Sequence, residues 1–220
     1  MTYLITGSNK GIGLEFCRQL SHRGDNVIAS CRDSSNDLRK LAVRVEENVD
    51  VSSGDSVIKL KKKIGDEKIK VLIHNAGIMR GSSLLDLDPD NILKQFKVNS
   101  LSPLCFTKAF LSNLVEGSKI ILITSRMGSI QDNTSGGSYG YRMSKAALCM
   151  AGKSLSIDLH SKNISVGIIH PGLVSTSMTG FTSSGISPEE SVNGMISIID
   201  SLNLENSGTF WHSNGNILPW

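Results

Sequence analysis

The amino-acid sequence predicts an α/β fold, in which helices flank both faces of one doubly wound parallel β-sheet. Short runs of β-branched and apolar residues alternate along the chain with segments of helical periodicity, which is the pattern of consecutive βαβ units. A length of 220 residues suits one well-buried domain, and no linker, internal repeat or low-complexity segment divides the chain. We therefore expect residues 1–220 to form a single domain.

The composition argues against several classes of partner. Lys and Arg exceed Asp and Glu by only 23 to 20, and the one dense basic run, Lys59 to Lys63, has helical spacing. A solvated helix face explains this run better than a nucleic-acid interface. The four cysteines are scattered without a C-x-x-C pair, as in a reducing compartment, and no apolar run reaches the roughly 18 residues of a membrane span. With no leader-like pattern at MTYLITG, we expect a cytoplasmic protein without nucleic-acid or membrane partners.

The chain begins with a predicted strand, a glycine-rich turn and a helix. Tyr3–Ile5 has the pattern of a buried strand, and the apolar residues from Ile12 to Leu20 recur every fourth position until Gly24 ends the helix. Between strand and helix lies TGSNKGIG, Thr6 to Gly13. Glycines allow close backbone approach, and the first helical turn presents N–H groups to an anion. The loop therefore predicts a dinucleotide phosphate site, although an ordinary tight turn would show a similar pattern.

The end of the second predicted strand indicates which dinucleotide binds. Val27–Ser30 is followed by Cys31, Arg32 and Asp33. NAD-binding Rossmann units place an acidic residue at this strand end, on the ribose 2′-hydroxyl. Here Cys31 holds that position, Arg32 follows it, and Lys10 projects from the glycine-rich loop towards the same place. Two cations suit a 2′-phosphate, so we expect NADPH. Asp33 keeps NADH as the second choice, and ordinary surface cations are the alternative for Lys10 and Arg32.

The next elements continue the alternation. Residues 34–43 predict a short helix, followed by a strand to Val49-Asp50-Val51, and residues 52–64 predict another helix. Val71–His74 then has the pattern of a buried strand that ends in Asn75-Ala76-Gly77. Such a turn lets the backbone approach a ligand, and the Asn75 amide can join neighbouring loops, although a plain turn would look the same. We expect His74 to be a core residue, and no metal site, because no second ligand has metal-site spacing.

A long helical pattern from Asp90 to Val115 contains Asn99 and Pro103, four residues apart. Proline has no N–H, so it cannot donate to the carbonyl of Asn99, which must find another partner, such as water. If Asn99 lies near Lys145, that water would connect the lysine to solvent. A simple proline kink is the alternative that the spacing leaves open.

The candidate chemical groups lie in the stretch from Ser125 to Lys145. A buried strand, Ile120 to Thr124, ends at Ser125, where open α/β sheets place their ligands. After a Gly/Ser-rich loop, Tyr141 and Lys145 fall on one face of a predicted helix. An ammonium close to a phenol favours the phenolate and lowers its pKa. Hydroxyl, phenol and ammonium together could hold a carbonyl oxygen and deliver a proton to it.

The remaining third of the chain completes the α/β pattern. The helix carrying Tyr141 continues to about His160, and a strand from Ser165 to His170 runs into Pro171-Gly172. A short loop over residues 177–187 is a plausible lid. A last helix, residues 188–202, begins at Ser187 with Glu190 three positions on, a capping-box pattern. A terminal strand is predicted over residues 208–211.

These motifs, taken in order, resemble the short-chain dehydrogenase/reductase family over essentially the whole chain. The motifs are Thr6-Gly7-x-x-x-Gly11-x-Gly13, Asp50-Val51, Asn75-Ala76-Gly77, Asn99, Ser125, Tyr141-x-x-x-Lys145 and Pro171-Gly172. Within the family, NKGIG, SRMGSI, the run DNTSGGSYGYRMSKAAL and the ending NGNILPW are similar to NADPH-linked carbonyl reductases of the sniffer and C-signal type. The resemblance implies an oxidoreductase that transfers hydride from NADPH to an aldehyde, ketone or quinone.

The resemblance also implies a role for each matching residue. Ser125 would bond the substrate oxygen, Tyr141 would donate the proton, Lys145 would bond the nicotinamide ribose and lower the tyrosine pKa, and Asn99 would hold a relay water. The implied cofactor-binding residues are Thr6, Gly7, Ser8, Lys10, Gly11, Ile12, Gly13, Arg32, Asp50, Val51, Asn75, Ala76, Gly77, Tyr141, Lys145, Pro171, Gly172, Val174 and Thr176. A homodimer or homotetramer, paired through the helices of Asn99 and Tyr141, is a further family expectation.

Two departures from the family pattern leave alternatives open. The gap from Ser125 to Tyr141 is longer than usual, so Ser125 would miss the site unless residues 132–138 bulge outward; Thr124 and Ser138 are the substitutes. The region after Thr176 is short, which predicts an open pocket. The competing functions are a nucleotide-binding signalling protein of the C-signal type and an NAD-linked alcohol dehydrogenase.

Overall fold

Seven parallel strands form the sheet that organises the structure, a computed structural model that describes residues 1–220. The strands are β1 (Thr2–Thr6), β2 (Asn26–Ser30), β3 (Arg44–Glu46), β4 (Ile69–His74), β5 (Leu114–Ile123), β6 (Ser165–His170) and β7 (Phe210–His212). They lie in the order β3-β2-β1-β4-β5-β6-β7, and every neighbouring pair is parallel. The predicted doubly wound Rossmann-type fold is therefore confirmed.

Seven α-helices connect these strands. They are α1 (Gly11–His22), α2 (Asn36–Arg39), α3 (Gly54–Ile64), α4 (Pro89–Phe96), α5 (Ser102–Phe110), α6 (Tyr139–Asp158) and α7 (Pro188–Ser201). A π-helical segment, Lys97–Leu101, joins α4 to α5, and short 3₁₀ turns cover Leu111–Asn113, Arg126–Gly128, His160–Lys162 and Ser177–Thr179. No helix is both long enough and apolar enough to cross a membrane. All four cysteines are free thiols.

The alternation of side chains along the strands divides the hydrophobic core into two halves. Leu4 of β1 belongs to the half that contains Phe106 of α5, whereas Ile5 belongs to the half that contains Phe16 of α1 and Met195 of α7. All five side chains are fully buried. Strands that are buried on both faces read as continuous apolar runs, which is why β1, β4 and β5 were recognisable in the sequence.

The structure corrects several predicted boundaries. The helix predicted from Asp90 to Val115 ends at Phe110, and β5 already begins at Leu114. The strand predicted to end at Val51 is the three-residue edge strand Arg44–Glu46, so Asp50 lies in a loop. Two other predictions agree with the structure. Lys62 and Lys63 of the basic run are exposed on α3, and the Ser187 side chain caps α7 by accepting from the Glu190 N–H at 3.0 Å.

The strand order places the functional edge of the sheet. The chain moves outward from β1 through β2 to β3 and then returns to β4 on the other side of β1. The loops after β1 and β4 therefore diverge at this switch point and leave a crevice at the carboxyl ends of the strands. The loops that follow β5 and β6 open at the same edge.

Candidate active site

A cleft of about 420 Å³ follows this edge of the sheet and brings most of the predicted site residues together. Its lining runs from the loop after β2, past the glycine-rich loop, to the first turns of α6. The predicted residues that line it are Gly7, Lys10, Gly11, Ile12, Arg32, Asp50, Val51, Asn75, Ala76, Gly77, Tyr141, Lys145, Pro171 and Thr176. The two ends of the motif series, far apart in sequence, thus face one continuous space.

The glycine-rich loop is packed so tightly that side chains are excluded from it. A Cβ on Gly13 would lie 2.3 Å from the carbonyl oxygen of Gly7 and 2.5 Å from Nδ2 of Asn75. The Asn75 amide donates to the carbonyls of Thr6 and Gly7, both at 3.0 Å, and the Thr6 hydroxyl accepts from the backbone of Asn75 and Ala76, both at 3.1 Å. The Asn75 amide therefore joins the β1 and β4 loops as the sequence indicated.

Two cations flank the cleft where the second strand ends. Lys10 and Arg32 both line it, and neither has an ion-pair partner. Asp33 lines the same part of the cleft, also without an ion-pair partner, so both groups that bear on cofactor choice are in place. Asp50 faces this end as well, but its carboxylate is engaged by the backbone N–H of Ser52 at 2.8 Å and the Ser52 hydroxyl at 2.7 Å, which hold its pKa below the usual value.

Tyr141 and Lys145 line the other end of the cleft, whereas the predicted catalytic residues Ser125 and Asn99 do not line it. The side chains of Ser125, Tyr141 and Lys145 are almost completely buried, and the Ser125 hydroxyl, which accepts from the Met127 N–H at 3.1 Å, lies next to Tyr141. The Lys145 ammonium lies 5.7 Å from the centre of the Tyr141 ring and donates to the Ile123 carbonyl at 2.9 Å. The long loop after Ser125 extends into solvent over residues 133–136, so it does not displace Ser125.

The substitutes considered for Ser125 have other contacts. The Thr124 hydroxyl donates to the Lys145 carbonyl at 3.3 Å and contacts the Cys149 thiol at 3.3 Å. Ser138 precedes α6 in a left-handed conformation, and its backbone N–H donates to the Ser82 carbonyl at 2.7 Å. The geometry therefore favours Ser125 as the hydroxyl beside Tyr141.

The net pKa shift of Tyr141 in this structure is upward, whereas the sequence predicted a downward shift. Burial raises the pKa of Tyr141, and the neighbouring Ser125 hydroxyl only partly opposes this effect. Burial also lowers the pKa of Lys145 to about 8, because the site offers its ammonium little solvation. The sequence predicted that Lys145 would lower the phenol pKa, but it could not show how deeply both groups are buried.

Asn99 lies in the π-helical segment, next to the same site. Its amide nitrogen donates to the Ile78 carbonyl at 2.8 Å and to the Ser144 hydroxyl at 3.0 Å, and its amide oxygen accepts from the Ile78 N–H at 2.9 Å. The side chain is thus fully engaged, whereas Pro103 cannot donate to the main-chain carbonyl of Asn99. The irregularity that the Asn99–Pro103 spacing indicated takes the form of a π-helical segment, which is often found at functional sites.

Five predicted cofactor residues do not line the cleft. Thr6 and Gly13 lie behind the glycine-rich loop and shape it. Ser8 is wholly buried, with its hydroxyl donated to the Ile5 carbonyl at 2.8 Å. Gly172 and Val174 are turned away from the cleft, and Val174 forms a bridge to Ile186. In this structure these five residues support the loops around the cleft, and their direct contacts with a cofactor stay predictions.

Sequence reasoning missed several residues that line the cleft. Most adjoin a recognised motif, so the motif edges were drawn too narrowly: these are Asn9, Val49, Ser52, Ile78, Val98, Ser177 and Met178. Cys31 and Asp33, named at the end of the second strand, and Thr124, named as a substitute for Ser125, also line the cleft. Ile123, at the end of β5, also lines it. Lys94 reaches the cleft from α4, and nothing in the local sequence distinguishes it from other surface lysines. His74 is the expected core residue, with Nε2 2.9 Å from the Thr107 hydroxyl.

Comparison with known proteins identifies the family to which the fold and the site also point. A model of the short chain dehydrogenase family matches residues 1–186. A 1-hydroxy-2-glutathionyl-2-methyl-3-butene dehydrogenase of Rhodococcus sp. (strain AD45) is 42% identical, over 100% of this chain and 99% of that protein. The C-signal protein of Myxococcus xanthus is 43% identical over 69% of this chain and 93% of its own length.

Two solved structures that are similar to this chain are carbonyl reductases. The NADPH-bound carbonyl reductase from chicken fatty liver has a TM-score of 0.91 and 28% identity, covering 100% of this chain and 98% of that one. The carbonyl reductase Sniffer of D. melanogaster has a TM-score of 0.91 and 29% identity, covering 100% and 99%.

The fold and the composition of the cleft define an α/β oxidoreductase of the Rossmann type. The chain belongs to the short chain dehydrogenase family. The family resemblance inferred from the motifs is therefore confirmed.

Proposed function

We propose that this protein is an NADPH-dependent carbonyl reductase in which Tyr141 donates the proton. The supporting observation is one continuous cleft with two unpaired cations, Lys10 and Arg32, at one end and the buried Tyr141 and Lys145 at the other, with Ser125 next to Tyr141. The solved relative from chicken fatty liver is described as bound to NADPH. A bound NADPH would supply the hydride. Its 2′-phosphate would be held by Lys10 and Arg32, and its diphosphate by the backbone between Gly7 and Ile12.

The chain's own groups would do the remaining chemistry. The Ser125 hydroxyl would donate a hydrogen bond to the substrate oxygen, and Tyr141 would transfer its proton to that oxygen as negative charge develops there. Lys145, held at the Ile123 carbonyl, would bond the ribose and place its positive charge near the phenol. The main-chain carbonyl of Asn99 would accept a hydrogen bond from a water molecule that returns a proton to Lys145. The cleft residues Thr176 to Met178 would place the carboxamide side of the cofactor.

Cofactor binding is the first test. Purified protein is titrated with NADPH and NADH by nicotinamide fluorescence, alongside Lys10→Ala, Arg32→Ala and the control Lys62→Ala, which changes an exposed lysine on α3. We expect NADPH to bind at least about tenfold more tightly than NADH. This preference should be lost only in Lys10→Ala and Arg32→Ala, because each of these variants removes a positive charge that would contact the 2′-phosphate. Equal binding of the two cofactors would contradict the assignment and transfer the role to Asp33.

Two other functions have specific support. The C-signal relative favours a nucleotide-binding signalling protein, and the dehydrogenase of Rhodococcus favours an alcohol dehydrogenase. Asp33 in the cleft is the residue that would suit NAD as its cofactor. Tyr141→Phe separates signalling from turnover: we expect it to retain NADPH binding and lose carbonyl reduction. A biological activity that survives in this variant would favour signalling, and alcohol oxidation with NAD in the unmodified protein would favour the third function.

We also propose a cytoplasmic homodimer as the working form, with a small-molecule carbonyl compound as substrate. Exposed apolar side chains on the outer faces of α4, α5 and α6 support self-association, among them Leu93, Phe96, Met143 and Met150. A second copy suits such a face because a two-fold axis pairs each patch with itself.

A further inference from the structure

The candidate catalytic groups are divided between two separate parts of the chain. Asn99 lies on the π-helical segment, whereas Tyr141 and Lys145 lie on α6. Their relative positions therefore depend on how these two elements are fastened to each other. We propose that Ser144 is the positioning residue that sets this arrangement; the proposal rests on the function proposed above.

Ser144 is wholly buried and makes hydrogen bonds to both elements. Its hydroxyl donates to the Tyr141 carbonyl at 2.8 Å and accepts from Nδ2 of Asn99 at 3.0 Å. Its own carbonyl accepts from the Ser100 hydroxyl at 2.6 Å. Ser144 thus bonds two consecutive residues of the π-helical segment, Asn99 and Ser100, to the N-terminal part of α6.

The direction of these bonds determines how the Asn99 amide is turned. A serine hydroxyl has one hydrogen, and here the Tyr141 carbonyl accepts it. Towards Asn99 the hydroxyl can therefore only accept, so it selects the NH₂ side of the amide. The amide oxygen is then directed to the Ile78 N–H, and its second amide hydrogen to the Ile78 carbonyl. Ser144 thereby also fixes the loop after β4, where Ile78 lines the cleft.

The same arrangement brings the catalytic groups to one point. A Cβ on Gly77 would lie 3.3 Å from Oδ1 of Asn99 and 3.8 Å from the Lys145 ammonium, so the loop after β4 contacts both. Loss of the Ser144 hydroxyl would leave one amide hydrogen of Asn99 without a partner in a buried place. We infer that the π-helical segment would then shift against α6, and that Tyr141 and Lys145 would lose their alignment with Asn99.

The variants Ser144→Ala and Ser144→Cys test this role, and Ser156→Ala is the matched control. Ser156 is a buried serine on the same helix whose hydroxyl also donates to the carbonyl three residues earlier, at 2.7 Å, but it lies three turns away from the site. Steady-state carbonyl reduction is measured per folded protein, together with the hydrogen exchange of the Ile78 amide. Ser144→Cys keeps the side-chain volume and guards against loss of folding in the alanine variant.

We expect kcat to fall by about tenfold or more in Ser144→Ala, and less in Ser144→Cys, while KM for NADPH changes by less than about twofold, because small misplacement of reacting groups affects rate more than binding. Ile78 should exchange faster, and Ser156→Ala should behave like the unmodified protein. Unchanged kcat in Ser144→Ala, or an equal fall in Ser156→Ala, would overturn the proposal. If the unmodified protein reduces no carbonyl with NADPH, the proposed function has failed, and unchanged Ile78 exchange in Ser144→Ala would then overturn the positioning role separately.

Discussion

Lys145 is a cation that the fold holds away from water. Its side chain is 5% exposed and makes one hydrogen bond, to the Ile123 carbonyl, and no carboxylate lies against it. Burial lowers its pKa from 10.5 to about 8. A shift of this size corresponds to roughly 3 kcal/mol between the two protonation states. Burial of the charged Lys145 therefore lowers the stability of the native protein at pH values where the lysine is protonated. A bound anionic cofactor would reduce this cost.

The pH dependence of this cost gives a prediction for Lys145→Met. Below pH 8 the lysine is charged in both the native and the unfolded states, so the full cost of burial is present. Between pH 8 and 10.5 only the unfolded state keeps the proton, so the unmodified protein gains stability as the pH rises. We expect Lys145→Met to be inactive and about 1–3 kcal/mol more stable at pH 7, with a smaller advantage at pH 9.5.

Chemical denaturation at the two pH values measures this difference. Lys62→Met, at an exposed position on α3, is the control and should show no such pH-dependent gain. A methionine variant that is less stable at pH 7, or whose advantage is the same at both pH values, would show that the buried ammonium carries no cost.

At the scale of elements, the site depends on the junction of β1, the glycine-rich loop and α1. Gly13 is the point where the first turn of α1 packs on the loop backbone, and its Cα leaves no room for a side chain. This close packing places the backbone of the glycine-rich loop along the cleft. The Asn75 amide bonds the same loop to the loop after β4.

Gly13→Ala should therefore damage both stability and binding. The new methyl group would meet backbone and the Asn75 amide, so we expect a loss of about 1–3 kcal/mol in the free energy of unfolding and loss of NADPH binding. Gly54→Ala is the matched control, because Gly54 begins α3, has no positive φ, and has no neighbouring atom within 4 Å of the position that a Cβ would take. It should gain about 0.4–1 kcal/mol. Thermal and urea unfolding measure the change in the free energy of unfolding for each variant. Similar changes in Gly13→Ala and Gly54→Ala would contradict the close-packing argument.

Element order was predictable from the sequence because the central strands β1, β4, β5 and β6 are largely apolar and the long helices have a buried face, whereas the edge strand β3, Arg44–Glu46, has two charged residues in three and was misplaced. Element boundaries were less accessible: Leu114 and Val115 are as apolar as a helix face would be, and only pairing with β4 makes them part of a strand. Side-chain direction in loops was not accessible either. Ser8 and Lys10 lie in one motif, yet Ser8 points into the core and Lys10 lines the cleft, and Lys94 reaches it only because α4 packs beside α6.

For the whole molecule, the outer layer of α4, α5 and α6 is unusually apolar for a surface. Met150 is 68% exposed, Ile157 66%, Leu93 65% and Met143 55%. Tyr141 and Lys145 are buried on α6, and Asn99 is buried on the π-helical segment that joins α4 to α5. A contact with a second copy would therefore remove apolar surface from water and would also brace the helices that hold the proposed catalytic groups.

Met150→Glu tests this arrangement for the molecule as a whole. In a two-fold pair the same residue is present on both sides, so the substitution places two carboxylates in an interface that must exclude water. We expect the unmodified protein to sediment as a dimer at micromolar concentration and Met150→Glu as a monomer. Leu85→Glu is the control: Leu85 is 98% exposed but lies in the loop between β4 and α4 rather than on a helix, so its variant should remain dimeric. A monomeric unmodified protein, or a dimeric Met150→Glu, would contradict the assignment of this face. A monomeric Met150→Glu that binds NADPH normally but turns over more slowly would show that pairing supports the catalytic helices.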